Sequence, residues 1–169
     1  MKKLISTIAL SICSLTATAV DLKAITIDWE DNATKVHLVG ADTRQTAKMQ
    51  IMSSAEGWAS VYFSWQNLEE GMETCSPRDE EWDANGYRET VYKINGQNVK
   101  MRERCTKYTD TNSHYKMSWA ITDNGHSFIV NTFKNAKDSV HVKFSDGGAV
   151  NFSAKGFSRE WNSFGGNAI

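Results

Sequence analysis

Between positions 81 and 89 the chain reads Glu81-Trp82-Asp83-Ala84-Asn85-Gly86-Tyr87-Arg88-Glu89, with oxygen-bearing side chains at alternate positions ahead of a glycine. Calcium loops use this pattern, because alternate side chains converge on one ion and the glycine permits a sharp bend. Glu81, Asp83, Asn85 and Glu89 would be the ligands. The match is partial: Glu81 stands where Asp is usual, and the twelfth position is Tyr92 rather than a bidentate acid. A solvated acidic turn is the simpler reading, so no metal and no cofactor is expected.

The same loop stands out by charge. Residues 66–89 carry eight carboxylates against Arg78 and Arg88, a net −6. Residues 90–116 carry six Lys and Arg against Glu103 and Asp110, a net +4. Exposed pairs between the two segments would contribute little each. Long loops without their own secondary structure are usually functional or disordered. Trp82 sits in the middle of this acidity, where a large aromatic either folds back onto the domain or serves as a recognition anchor. Read as an anchor, Trp82 with Asp83, Tyr87, Glu80 and Glu81 forms a surface for a basic protein partner, as an inhibitor or immunity factor would use. A row of exposed Trp and Tyr on a sheet would offer a second kind of surface, one that stacks on sugar rings.

Other chemistry finds little support. His37, His114, His126 and His141 are scattered, with no H-E-x-x-H and no Cys/His pairs at zinc spacing. Gly125-His126-Ser127-Phe128-Ile129 approaches the G-x-S-x-G nucleophile elbow, but Ile129 replaces the last glycine, and Ser127 reads as a turn residue. A carboxylate pair for glycoside hydrolysis needs no spacing in sequence, so a small envelope hydrolase stays open as an alternative, as does a structural or assembly role in the envelope. With 19 Lys and Arg against 20 Asp and Glu, bulk positive charge for nucleic-acid binding is absent, and no nucleic-acid partner is expected.

Residues 1–19 have the order of a secretory signal peptide: Lys2-Lys3, an apolar run from Leu4 to Leu15, then Ala17-Thr18-Ala19. The run is too short to span a bilayer. Cleavage after Ala19 gives an exported, periplasmic or extracellular chain of residues 20–169. Cys13 leaves with the leader, so the odd count of three cysteines becomes the pair Cys75 and Cys105. In an oxidising compartment that pair is a disulfide.

The elements that must position these residues are strands. Two-residue alternation runs through Ile25 to Trp29, Val36 to Leu38, Met49 to Ile51 and Trp58 to Gln66. It resumes at Glu89 to Ile94 and Asn98 to Lys107, flanking the hairpin signal Asn95-Gly96. Further strands are expected at Tyr115 to Ile121, Phe128 to Phe133, Val140 to Phe144 and Val150 to Ala154. In the strand ending at Ile121, Tyr115, Met117, Trp119 and Ile121 form the apolar face. About nine short strands predict one all-β domain, an antiparallel meander forming a sandwich or a partly closed barrel. A single short helix, capped by Ser158 and stopped by Gly165-Gly166, would plug one end through Phe157, Trp161 and Phe164. Trp29, Trp58, Trp65, Trp119 and Trp161 are assigned to the core.

Overall fold

The computed structural model describes residues 23–40, 44–68, 73–78, 82–107 and 113–165. The leader, Glu80 and Glu81 lie outside these residues. The strands are β1 (Lys23–Glu30), β2 (Ala33–Val39), β3 (Arg44–Ser53), β4 (Ala59–Asn67), β5 (Tyr87–Ile94), β6 (Gln97–Lys107), β7 (His114–Ala120), β8 (Ser139–Lys143) and β9 (Ala149–Ser153), and the helices are α1 (Asp123–Asn135) and α2 (Phe157–Ser163). All nine strands join one antiparallel sheet in the order β1-β2-β3-β4-β7-β6-β5-β8-β9. The sheet curls into a nearly closed barrel. Its end strands meet without a ladder: Trp29 donates its backbone N–H to Lys155 O and its indole N–H to Ser153 O, at 3.1 and 2.8 Å.

This order is not the expected meander. β4 pairs with β7 over only three residue pairs, Phe63 to Trp65 against Lys116 to Ser118. The acidic connection of residues 68–86 carries the chain from β4 across to β5, and β5, β6 and β7 then run back toward β4. Asn95 and Gly96 both have positive φ, 45° and 87°, as the β5–β6 hairpin turn requires.

A helix replaces one expected strand. Residues Phe128 to Phe133 belong to α1, and Ser127 lies in its first turns rather than in a β-turn. Thr122 caps this helix by accepting the N–H of Gly125 at 3.1 Å. Ile129, Val130 and Phe133 fall on its buried stripe, a spacing of one and four that a short apolar run shares with a strand. The second helix forms where expected and buries Phe157 and Trp161, but its N-cap is Gly156 at φ 91° rather than Ser158. Both helices close over the barrel core through an aromatic cluster in which Trp29 meets Phe157 at 4.9 Å and Phe133 at 6.4 Å. Burial of these rings and of the inward rows Val61–Phe63, Met49–Ile51, Val99–Met101 and Val140–Val142 supplies the main hydrophobic stabilisation.

Cys75 and Cys105 form the disulfide, compatible with an oxidising compartment. No helix among the described residues is long and apolar enough to cross a membrane.

Candidate functional site

The outward face of the sheet, between the β3–β4 turn and the start of α1, holds a cleft of about 860 Å³. Its floor follows from register. Tyr87 on β5 lies opposite Arg104 on β6, and Arg104 lies opposite Met117 on β7. One row away, Glu89 faces Arg102 and Arg102 faces Trp119. Phe63 pairs with Ser118 across β4 and β7, which places Tyr62 beside Trp119. The two rings are 5.8 Å apart at a tilt of 50°, and Tyr87 meets Trp119 edge-on at 5.9 Å. The guanidinium groups of Arg102 and Arg104 lie 6.0 and 5.8 Å from the Tyr87 ring.

The rim is built by the turn after β3. Ser54 donates its N–H to Trp58 O at 2.7 Å, and its hydroxyl accepts the N–H groups of Glu56 and Trp58. This turn holds Trp58 67% exposed over the cleft, so the sequence expectation that Trp58 is core does not hold. A turn-locked, exposed indole brings apolar area with its backbone entropy already spent. Hydrogen bonds from Ser54 and its own backbone hold the Glu56 carboxyl below its ordinary pKa, while burial and the nearby Glu56 charge push the Tyr62 phenol up. Asp123 and His126 line the opposite wall. Burial lowers the His126 pKa, and its Nε2 is buried without a hydrogen-bond partner.

β7 presents its faces opposite to expectation: Ser118 is buried, and Trp119 is only part-buried in the cleft. The physical reason lies inside the barrel. Glu103 on β6, 1% exposed, accepts from Arg88 at 2.6 Å, from Tyr92 Oη at 2.5 Å and from Ser145 Oγ at 3.3 Å. Ser118 donates to Tyr92 Oη at 2.9 Å. A polar network must be satisfied to be tolerated in a core, and Ser118 completes this one, which turns the aromatic side of β7 outward. Desolvation, with the Glu103 charge next, pushes the Tyr92 pKa well above its ordinary value.

The structure divides the residues singled out in the acidic loop. Trp82 is turned inward: its indole donates to Ser76 O at 2.8 Å and its ring lies on Arg88. Asp83 Oδ1 accepts the N–H groups of Asn85 and Tyr87 at 2.8 and 3.0 Å, so this carboxylate braces its own turn. Tyr87, five residues from Trp82, belongs to the outer cleft. Glu89 also faces outward and pairs loosely with Arg102 at 3.5 Å. The calcium set therefore has Asp83 in a backbone turn and Glu89 on a strand, with Glu81 outside the described residues. Among the described residues no group of three or more His, Cys, Asp or Glu side chains is placed to hold a metal ion.

Trp58, Tyr62, Arg102 and Trp119 were not singled out as a site by sequence. The available signal was the phase of β7, in which Lys116 and Ser118 alternate with Met117 and Trp119. The chain matches no known family, no curated protein and no solved structure, so the geometry of this cleft carries the functional reading.

Proposed function

We propose that this chain is an exported binding protein that takes a saccharide into the outer cleft. The observation that supports the reading is the convergence of Trp58, Tyr62, Tyr87 and Trp119 on one outward cleft that also contains Glu56, Asp123 and Arg102. Aromatic rings cover the apolar faces of sugar rings, and fixed carboxylates and guanidinium groups exchange hydrogen bonds with hydroxyls. The lining mixes these four rings with polar and charged groups, and the volume falls in the range of about 300 to 1,000 Å³ for ligand sites. The leader-like N-terminus and the disulfide support an exported location. Trp82, the large aromatic of the acidic loop, is enclosed and offers no anchor.

The test is Trp58→Ala and Trp119→Ala, each titrated with a panel of neutral and acidic oligosaccharides by tryptophan fluorescence and calorimetry. Trp58 is mostly exposed, so its removal leaves thermal stability within about 0.5 kcal/mol of the parent while binding falls. Saccharide binding that survives both substitutions, or no saccharide binding by the unaltered chain, overturns the reading.

A further inference from the structure

Resting on the cleft assignment above, we infer that the saccharide is an acidic polysaccharide, a chain bearing carboxylate or sulfate groups, and that it runs out of the cleft over Ser64 onto a Lys35–Lys48 subsite. Strands β2 to β7 contain ten Lys and Arg residues and only two carboxylates, Glu89 and Glu103. Glu103 is inside the barrel and committed to Arg88. Arg88 and Lys116 share that inner phase, and the remaining cations leave the outward face cationic, although the whole chain is near neutral.

Two of these cations face each other across neighbouring strands. Lys35 on β2 lies directly opposite Lys48 on β3, and like charges directly opposite on one face are destabilising. Neither forms a salt bridge with a described carboxylate. Burial, and then the Lys35 charge, hold the Lys48 pKa below its ordinary value, a condition that an incoming anion relieves. The pair lines a groove of about 290 Å³ with His37, Ser64 and Gln66. On the β1 side the same two lysines also line a second hollow with Asp28, Glu30 and Asp31, so carboxylates bound the anionic track on that side.

The groove and the cleft lie on one continuous face. Lys48 pairs with Ser64, and Ser64 is two residues from Tyr62, about 7 Å along the same strand. A chain with one ring against Tyr62 and Trp119 thus reaches the lysines within one or two sugar units. The cleft itself favours a glycan over a single-stranded nucleic acid. Its rings are tilted or edge-on to one another, at 50° and 89°, rather than spread as flat platforms for successive bases. Glu56 and Asp123 in its walls accept from hydroxyls, which a polysaccharide carries on every ring and a thymidine strand lacks along its length.

Native affinity electrophoresis of the full chain tests this in gels containing alginate, dextran sulfate or neutral dextran, with a thymidine 20-mer as competitor. The expected result is retardation by at least one acidic polysaccharide and none by neutral dextran. Lys35→Gln/Lys48→Gln should weaken that binding about tenfold and flatten its salt dependence, without lowering the melting temperature. Retardation that Trp119→Ala abolishes but the double lysine variant leaves unchanged, or equal retardation by neutral dextran, overturns the acidic-chain inference and leaves the saccharide cleft standing. Tighter binding of the thymidine 20-mer than of any polysaccharide reassigns the face to nucleic acid. No retardation by any polysaccharide removes both the inference and the reading beneath it.

Discussion

The Trp82 indole lies on the guanidinium of Arg88, with 4.9 Å from its ring centroid to the guanidinium carbon. On its other side the same guanidinium donates to Glu103 from Nη2 at 2.6 Å and from Nε at 2.7 Å. The loop thereby covers one face of a largely buried ion pair, and the pair fixes where the loop can rest. Removing one member leaves the other charged and buried, so Arg88→Ala is expected to destabilise the protein by about 3 to 5 kcal/mol. The double variant Arg88→Met/Glu103→Leu, which removes both charges, should cost less than the single one. Urea unfolding of the three proteins, compared with the parent, checks the order.

Tyr92 sets the alkaline limit. Its folded pKa is raised, by burial first and the Glu103 charge second, so the neutral phenol is the form the fold requires. Below the ordinary tyrosine value of about 10 both folded and unfolded chains hold the proton, and the full stability is present. Above it the unfolded chain ionises while the folded one does not, and stability is lost as pH rises toward the folded pKa. Melting temperatures measured from pH 8 to 11 should fall steeply at the top of the range, and Tyr92→Phe should flatten that fall. An equal slope in the two proteins places the alkaline limit elsewhere.

Gly156 is required by two independent constraints. Its φ of 91° disfavours any side chain, and a Cβ there would stand 3.1 Å from both Trp29 Cβ and Trp29 O. Gly156→Ala is expected to cost about 2 kcal/mol or more, combining strain with a forced shift of the seam tryptophan. Gly147 has a similar φ of 93° and open space around it, so Gly147→Ala should cost only about 1 kcal/mol. Thermal melts of the pair separate backbone strain from crowding.

The disulfide closes a loop of 30 residues in sequence separation. By the chain-entropy relation its loss is worth about 3 to 4 kcal/mol, or a melting temperature lower by about 10 °C at this chain length. Cys75→Ser/Cys105→Ser should also free Trp82 from Arg88, and the emission of that indole should shift to the red. A red shift without a fall in melting temperature would show that the loop and the barrel are energetically separate.

Strand count, the Asn95-Gly96 hairpin and the plugging role of Phe157 and Trp161 were legible because each rests on local periodicity or turn chemistry, and the cysteine pairing because only two cysteines lie beyond the leader-like segment. Helix α1 was not, since Phe128 to Phe133 has a spacing that suits strand and helix alike and only the cap at Thr122 tells them apart. The inner face of β7 was misassigned for a different reason. Alternation fixes that a strand has two faces but not which is buried, and here Ser118 faces inward to serve Tyr92, a residue 26 positions away. The candidate cleft followed from that reversal. Sheet order was also beyond reach, because the pairing of β4 with β7 depends on where a long loop delivers β5.

The three-residue ladder between β4 and β7 divides the barrel into an N-terminal half, β1 to β4, and a C-terminal half, β5 to β9. Tyr62 belongs to the first half and Trp119 to the second, so the cleft straddles the ladder that joins them. A ligand held there acts as a staple across the two halves. Occupancy should slow the subglobal opening of that joint, and amide exchange at Phe63–Trp65 would then register binding even if no backbone atom moved.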